Sequence, residues 1–228
     1  LSGADIAQSS AWAANRIDFG SVIPWKNALL RKAAISFAQA QRPGQRAEFH
    51  EFCDANAGWL NDYALFAAAK EYLGGAVWST WPEGLAQRKQ AALERWRKRL
   101  SEDILRVKFQ QWYFYRLWRA LKQHANMQGI RIIGDIPIFV AYDSADVWAH
   151  PEQFTLDAHG NPTVVAGVPP DYFSATGQLW GNPLYRWDMM AARGFDWWIE
   201  RVRATLSTVD IVRIDHFRGF EAYWEVPA

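Results

Sequence analysis

The chain has a single cysteine, Cys53, in 228 residues. A lone thiol excludes an internal disulfide and a cysteine metal cluster, and it fits a reducing, cytoplasmic setting. An excess of charge of one sign is lacking too. Lys and Arg number 25 against 24 Asp and Glu, a formal net charge of +1. That balance gives no bulk attraction to nucleic acid or to an anionic membrane, so neither is expected as a partner. No apolar run approaches the roughly 20 residues that span a bilayer, and no signal peptide opens the chain. The five histidines show no ligand spacing, so no metal and no other cofactor is expected. An initiator methionine is also missing. The chain opens Leu1-Ser2-Gly3-Ala4 and closes Val226-Pro227-Ala228, and both ends read as cuts from a longer chain. What it has in abundance is tryptophan, 14 copies, within a composition that is 50% hydrophobic and 21% charged. Such a composition buries a core and does not read as disordered.

The first 128 residues read as helices joined by short breaks. Apolar Leu29, Leu30, Ala33, Ala34 and Phe37 recur at helical spacing within Lys26 to Gln41, and Pro43-Gly44 stops that helix. Gln45 to Ala57 is a second helix. Asp62 is placed to cap a third, which Gly74-Gly75 ends. A basic helix follows over Leu85 to Leu100. Ser101, Glu102 and Asp103 suit the start of a long helix, with Val107, Phe114, Trp118, Leu121 and Ala125 on one face. The basic stretch from Arg88 to Lys108 has acids interspersed, so it reads as a solvated helix face rather than a nucleic-acid arm.

After Gly129 the texture changes. Ile130 to Ile133 reads as a strand, and Gly134-Asp135-Ile136-Pro137 as a bend out of it. Asp157 to Pro162 makes a credible hairpin turn between short β-rich runs. Residues 167–183 read as a loop rich in Pro, Gly and aromatics, Phe195 to Leu206 as a helix, and Val209 to Asp215 as a second buried strand. Asp143 and Asp146 flank a helix start, where capping is the default role. Two strands that each follow a helix indicate an α/β fold with a parallel sheet. Two strands alone do not complete one, since parallel sheets are buried on both faces and a whole (β/α)8 barrel takes ~250 residues. An incomplete sheet leaves strand edges open to self-association.

Arg213 and Asp215 are two apart and so project from one face of the second strand, with His216 and Arg218 in the exit loop. A carboxylate at the C-terminal end of a strand, flanked by two arginines and a histidine, is favoured in its ionised form. That suits a carboxylate nucleophile. A structural ion pair at a strand end explains the same spacing. The 167–183 loop mixes rings with amides and an acid, as a sugar's apolar faces and hydroxyl rim require. A stiff loop packing its rings on its neighbours is the rival reading. Trp180 is the leading sugar-contact tryptophan and Trp148 a weaker one, while Trp112, Trp118 and Trp197 read as helix packing.

Several runs carry a resemblance. Gly134-Asp135-Ile136-Pro137-Ile138-Phe139-Val140, then Asp143 to Trp148, the loop from Gly167 to Tyr185, and Arg213-Ile214-Asp215-His216-Phe217-Arg218-Gly219-Phe220 resemble the 4-alpha-glucanotransferase (amylomaltase, or disproportionating enzyme) family. Trp59 to Phe66 and Phe109 to Trp118 resemble it as well. The resemblance implies a partial (β/α)8 barrel with about two of its strands present in residues 129–228 and a large helical insertion over residues 1–128. It implies an enzyme of the α-amylase clan that transfers α-1,4-glucan chains between maltooligosaccharides with retention. Asp215 then matches the nucleophile and Arg213 the residue that orients it. His216 matches a residue binding sugar hydroxyls, and Asp135 the acid ending barrel strand three, another substrate-binding residue. Asp171, Tyr172, Ser174, Gln178 and Trp180 fall in the substrate loop. The family's acid/base glutamate and stabilising aspartate have no counterpart in this chain, and Glu221 and Glu225 stand too close behind Asp215 to serve. An inactive segment of a larger transferase is therefore expected. An α-amylase-type hydrolase and a non-catalytic glucan-binding module are the alternatives.

Overall fold

The computed structural model describes residues 1–7, 15–40, 42–172 and 174–228. The helical part begins with α1 (Gly3–Ala7) and α2 (Phe19–Gln39). The latter starts well before the expected Lys26. Asp18 caps it, accepting the Gly20 amide at 3.0 Å and the Ser21 hydroxyl at 2.6 Å, and the helix runs through Pro24. The cap satisfies first-turn donors and so sets the helix start upstream of Lys26. Next come α3 (Pro43–Ala55) and α4 (Ala57–Tyr72). Asp62 lies inside α4 and caps nothing; its carboxylate receives Arg88 at 2.8 Å and Arg97 at 3.6 Å.

A short α5 (Glu83–Ala86) and the basic α6 (Gln90–Arg99) lead into α7 (Ser101–Met127). The buried face of α7 is Val107, Phe109 and Trp112, whereas Phe114 and Leu121, expected inside, are exposed. Phe109 and Trp112 instead meet Phe37 of α2 at ring-centroid distances of 5.0 and 5.1 Å. This aromatic cluster, with Phe49, Phe52 and Leu60, is one core. Aromatic rings from three helices win the interior because each removes more apolar area than an aliphatic side chain does.

The first strand is β1 (Ile133–Pro137), displaced toward the C-terminus from its expected position at Ile130 to Ile133. Gly134-Asp135-Ile136-Pro137 is therefore strand and not a bend. Gly134 is needed there, since a Cβ would stand 2.7 Å from Cγ1 of Val209. Then follow α8 (Ala145–Ala149), β2 (Val164–Val168), β3 (Gln178–Pro183), α9 (Trp187–Ala192), α10 (Asp196–Thr208), β4 (Ile211–Asp215) and β5 (Trp224–Pro227). Ser144 caps α8, accepting the Val147 amide at 3.3 Å, while Asp143 pairs with Lys70. The expected hairpin turn is present: Leu156 bridges Pro162, and Asp157 accepts the amides of His159 and Asn161.

β1 and β4 pair in parallel, and β3-β2-β5 form a separate antiparallel sheet. The two ends of the loop expected over residues 167–183 are strands of this second sheet, with loop between them, and β5 is an element that the sequence pattern does not show. α10 packs on both parallel strands and on α7, which it also meets where the Trp118 indole donates to the Thr208 carbonyl. The larger core joins both parts of the chain. It brings Leu65, Phe66, Trp81 and Leu85 against Ile136, Ile138, Val147, Trp148 and Tyr185. Trp148 is completely buried, with its indole donating to the Leu85 carbonyl at 3.1 Å, so it is packing and not a sugar contact. Among the described residues no helix is long and apolar enough to cross a membrane.

Candidate active site

Register fixes the centre of the site. Asp135 lies opposite Arg213, and Pro137 opposite Asp215, across the parallel pair. Side chains alternate along a strand, so Asp135, Arg213 and Asp215 share one face while Ile136 is buried on the other. The Arg213 guanidinium grips Asp135 with both arms of its fork, Nε donating to Oδ1 at 2.7 Å and a terminal nitrogen to Oδ2. Those bonds, and to a smaller degree the charge of Asp215, push the Arg213 guanidinium further above its ordinary value. Arg213 thus contributes a permanent positive charge two residues below Asp215. The bond that spacing suggested between Arg213 and its own strand's aspartate is replaced by one to the neighbouring strand. A bidentate fork needs a carboxylate opposite it, and register supplies Asp135.

His216 follows Asp215 in the left-handed conformation (φ 53°), which turns the chain sharply off the strand end. Its ring meets Trp180 of β3 edge to face, 5.0 Å between centroids. The Trp180 indole donates to Oε1 of Gln178 at 3.0 Å. Asp215, His216, Trp180 and Gln178 are therefore brought to one end of the parallel pair. Active sites on parallel sheets are built at this C-terminal end of the strands.

Asp171, Tyr172 and Ser174 occupy the tip between β2 and β3. The Asp171 carboxylate accepts the Ser174 amide at 2.9 Å, and the Ser174 hydroxyl donates to the Gly177 carbonyl at 2.7 Å. Tyr172 is fully exposed. Gly177 closes the tip at φ 76°, where a Cβ would fall 2.5 Å from the Val168 carbonyl oxygen. Only glycine permits that approach. Among the described residues no group of three His, Cys, Asp or Glu side chains is arranged to hold a metal ion.

Four further residues support the site; Phe139, Asn182 and Tyr185 fall in runs that carry the family resemblance, but no motif assigns a role to them or to Arg201. The Tyr185 hydroxyl donates to the Ile138 carbonyl at 2.7 Å, Arg201 reaches the same oxygen at 3.2 Å, and the Asn182 amide donates to the Val140 carbonyl at 2.8 Å. Phe139 lies between those two carbonyls. Burial pushes the Tyr185 phenol well above its ordinary value, so it stays a donor at any working pH.

Residues 3–228 match the family model described as 4-alpha-glucanotransferase. The chain belongs to the 4-alpha-glucanotransferase family. It is 54% identical over 213 residues to the 4-alpha-glucanotransferase of Thermus thermophilus, covering 93% of this chain and 43% of that protein. Against the Synechocystis 4-alpha-glucanotransferase it is 51% identical over 93% of the chain and 42% of that relative. The amylomaltase of Streptococcus agalactiae, solved in complex with acarbose, superposes with a TM-score of 0.90 at 37% identity, over 98% of this chain and 46% of that one. The α/β fold is thus shared with an amylomaltase. The chain spans less than half the length of each of these relatives.

Proposed function

We propose that this chain carries the nucleophile-bearing part of a 4-alpha-glucanotransferase, which moves α-1,4-glucan chains between maltooligosaccharides by a retaining double displacement in a cytoplasmic setting. Residues 129–228 would supply about two strands of a (β/α)8 barrel together with the substrate loop 167–183, and residues 1–128 a helical insertion. Asp215 attacks the anomeric carbon and forms the glucosyl ester. A glutamate from the part of the longer protein outside this chain protonates the leaving oxygen, and an acceptor's 4-hydroxyl then displaces the enzyme. Arg213 keeps a positive charge beside the nucleophile. His216 and Trp180 line the sugar, Gln178 orients the indole, and Asp171, Tyr172 and Ser174 shape the acceptor side from the loop tip.

The observation that carries this reading is the convergence of Asp215, the Asp135–Arg213 pair and the His216–Trp180 contact at one strand end. The isolated chain is expected to be inactive. Retention needs two carboxyl groups about 5–5.5 Å apart, and Asp135, on the adjacent strand, already has both oxygens bonded to Arg213. Among the described residues no strand covers the outer edges of the two-stranded sheet, which leaves the isolated chain open to self-association.

The test is the full-length protein with maltotriose. Wild type should produce longer glucans, and Asp215→Asn should lose that activity by about a thousandfold or more while remaining folded. An active Asp215→Asn enzyme would overturn the assignment, and glucose release without longer products would point to a hydrolase.

A further inference from the structure

We propose that Phe139 is a positioning residue for His216, acting through Trp180. The residue is over-determined in a way that packing alone does not require. Its backbone is pinned on both sides, the Ile138 carbonyl by Tyr185 and Arg201 and the Val140 carbonyl by Asn182. Its ring, 5% exposed, is enclosed by three others. Tyr185 lies nearly parallel at 6.0 Å, Tyr223 edge-on at 6.0 Å, and Trp180 edge-on at 6.2 Å. Trp180 in turn meets His216 at 5.0 Å. Among the described residues, Phe139 and His216 are the two rings in contact with the Trp180 indole.

The chain of contacts therefore runs from a buried, doubly pinned ring, through a half-exposed indole, to the imidazole next to Asp215. Trp180 is 37% exposed and carries one side-chain hydrogen bond, to Gln178, which itself sits at an exposed strand position. Its placement depends on the ring behind it. A wall that contacts a reacting sugar must hold its groups to within about 0.5 Å. Phe139 supplies that rigidity without touching substrate. The catalytic effect rests on the function proposed above; the positioning itself does not.

The experiment uses the full-length protein carrying Phe139→Leu, which keeps an apolar side chain but loses the ring. Two readouts are taken: kcat/KM for disproportionation of maltotriose, and the His216 Cε1–H resonance in protein labelled with ¹³C-histidine, assigned by comparison with His216→Gln. The ring current of Trp180 makes that resonance sensitive to the contact. Phe139→Leu should shift the His216 signal, leave those of His50, His124, His150 and His159 in place, and lower kcat/KM about tenfold. Asn182→Ala, which frees only the Val140 carbonyl, should shift the same signal by less. A folded Phe139→Leu protein with an unshifted His216 signal and wild-type kcat/KM overturns the proposal. If Phe139→Leu does not fold, an unshifted signal in Asn182→Ala overturns it. A wild-type protein without transferase activity would refute the functional reading alone, and the resonance would still decide the positioning.

Discussion

Arg213 closes its guanidinium fork on Asp135, its register partner across the strand pair, and not on Asp215 of its own strand. The carboxylate proposed as nucleophile is thereby left free of that fork, with a fixed positive charge close by. A direct bidentate bond to Asp215 would occupy the oxygens that the reaction needs.

Asp135→Asn in the full-length enzyme should lower kcat/KM about a hundredfold, because the Arg213 fork loses its charged anchor and shifts relative to Asp215. Thermal stability should stay near wild type, since both partners are largely exposed and exposed pairs add little. Parallel losses of activity and melting temperature would count against this.

The tryptophans should separate by function. Trp148→Ala removes a fully buried ring and should cost about 3–5 kcal/mol in denaturant unfolding. Trp180→Ala, at a half-exposed position, should change stability little but weaken maltooligosaccharide binding about tenfold, measured by calorimetry in an Asp215→Asn background. The reverse pattern would move the sugar contact to Trp148.

Gly219 should not tolerate a methyl group. An added Cβ would stand 2.9 Å from Cγ1 of Ile138 and 3.3 Å from Cδ2 of His216. Gly219→Ala should therefore destabilise by about 1–3 kcal/mol, read by denaturant midpoint, and should also reduce transfer by moving His216. A neutral substitution would show that the turn has slack.

Asp210 makes stability depend on acid pH. The Ile132 amide first, then Asn126 and Lys122, hold its carboxyl at about 2, below the ordinary 3.8. A lowered carboxylate stabilises the fold above its unfolded value, and the contribution disappears as pH falls through the folded value. The stability gap between wild type and Asp210→Asn should be full at pH 7, narrow between pH 5 and 2, and close below that. A gap unchanged at pH 2 would assign the effect to packing.

The α/β class and most helices were readable because helical periodicity and Gly or Pro stops are local signals. Asp215 was readable as a candidate from the Arg213–Asp215 spacing and the resemblance. The misassignments share a cause, which is competition between distant segments. The β1 strand lies where Asp135 can meet Arg213, a pairing that the local run from Ile130 to Ile133 does not show. The exposed side of α7 carries Phe114 and Leu121 because Phe37 and Phe49 take the other side, and periodicity alone cannot choose between two apolar faces. β5 is invisible locally, since Trp224 to Pro227 becomes a strand only by pairing with β2. Phe139 and Asn182 read as ordinary residues because their partners are backbone carbonyls and rings brought in from elsewhere.

The parallel pairing of β1 with β4 also sets an order of events. The bond between Asp135 and Arg213 spans 78 positions of the chain, and parallel pairing has no tight-turn shortcut. Helices α2 to α7 can gain structure from near neighbours while the chain is still being made, but these two strands must await the synthesis of β4. β2 gains its second partner only when β5 emerges, some 60 positions later, so the strand end that carries Asp215 takes shape after the helices of the first part.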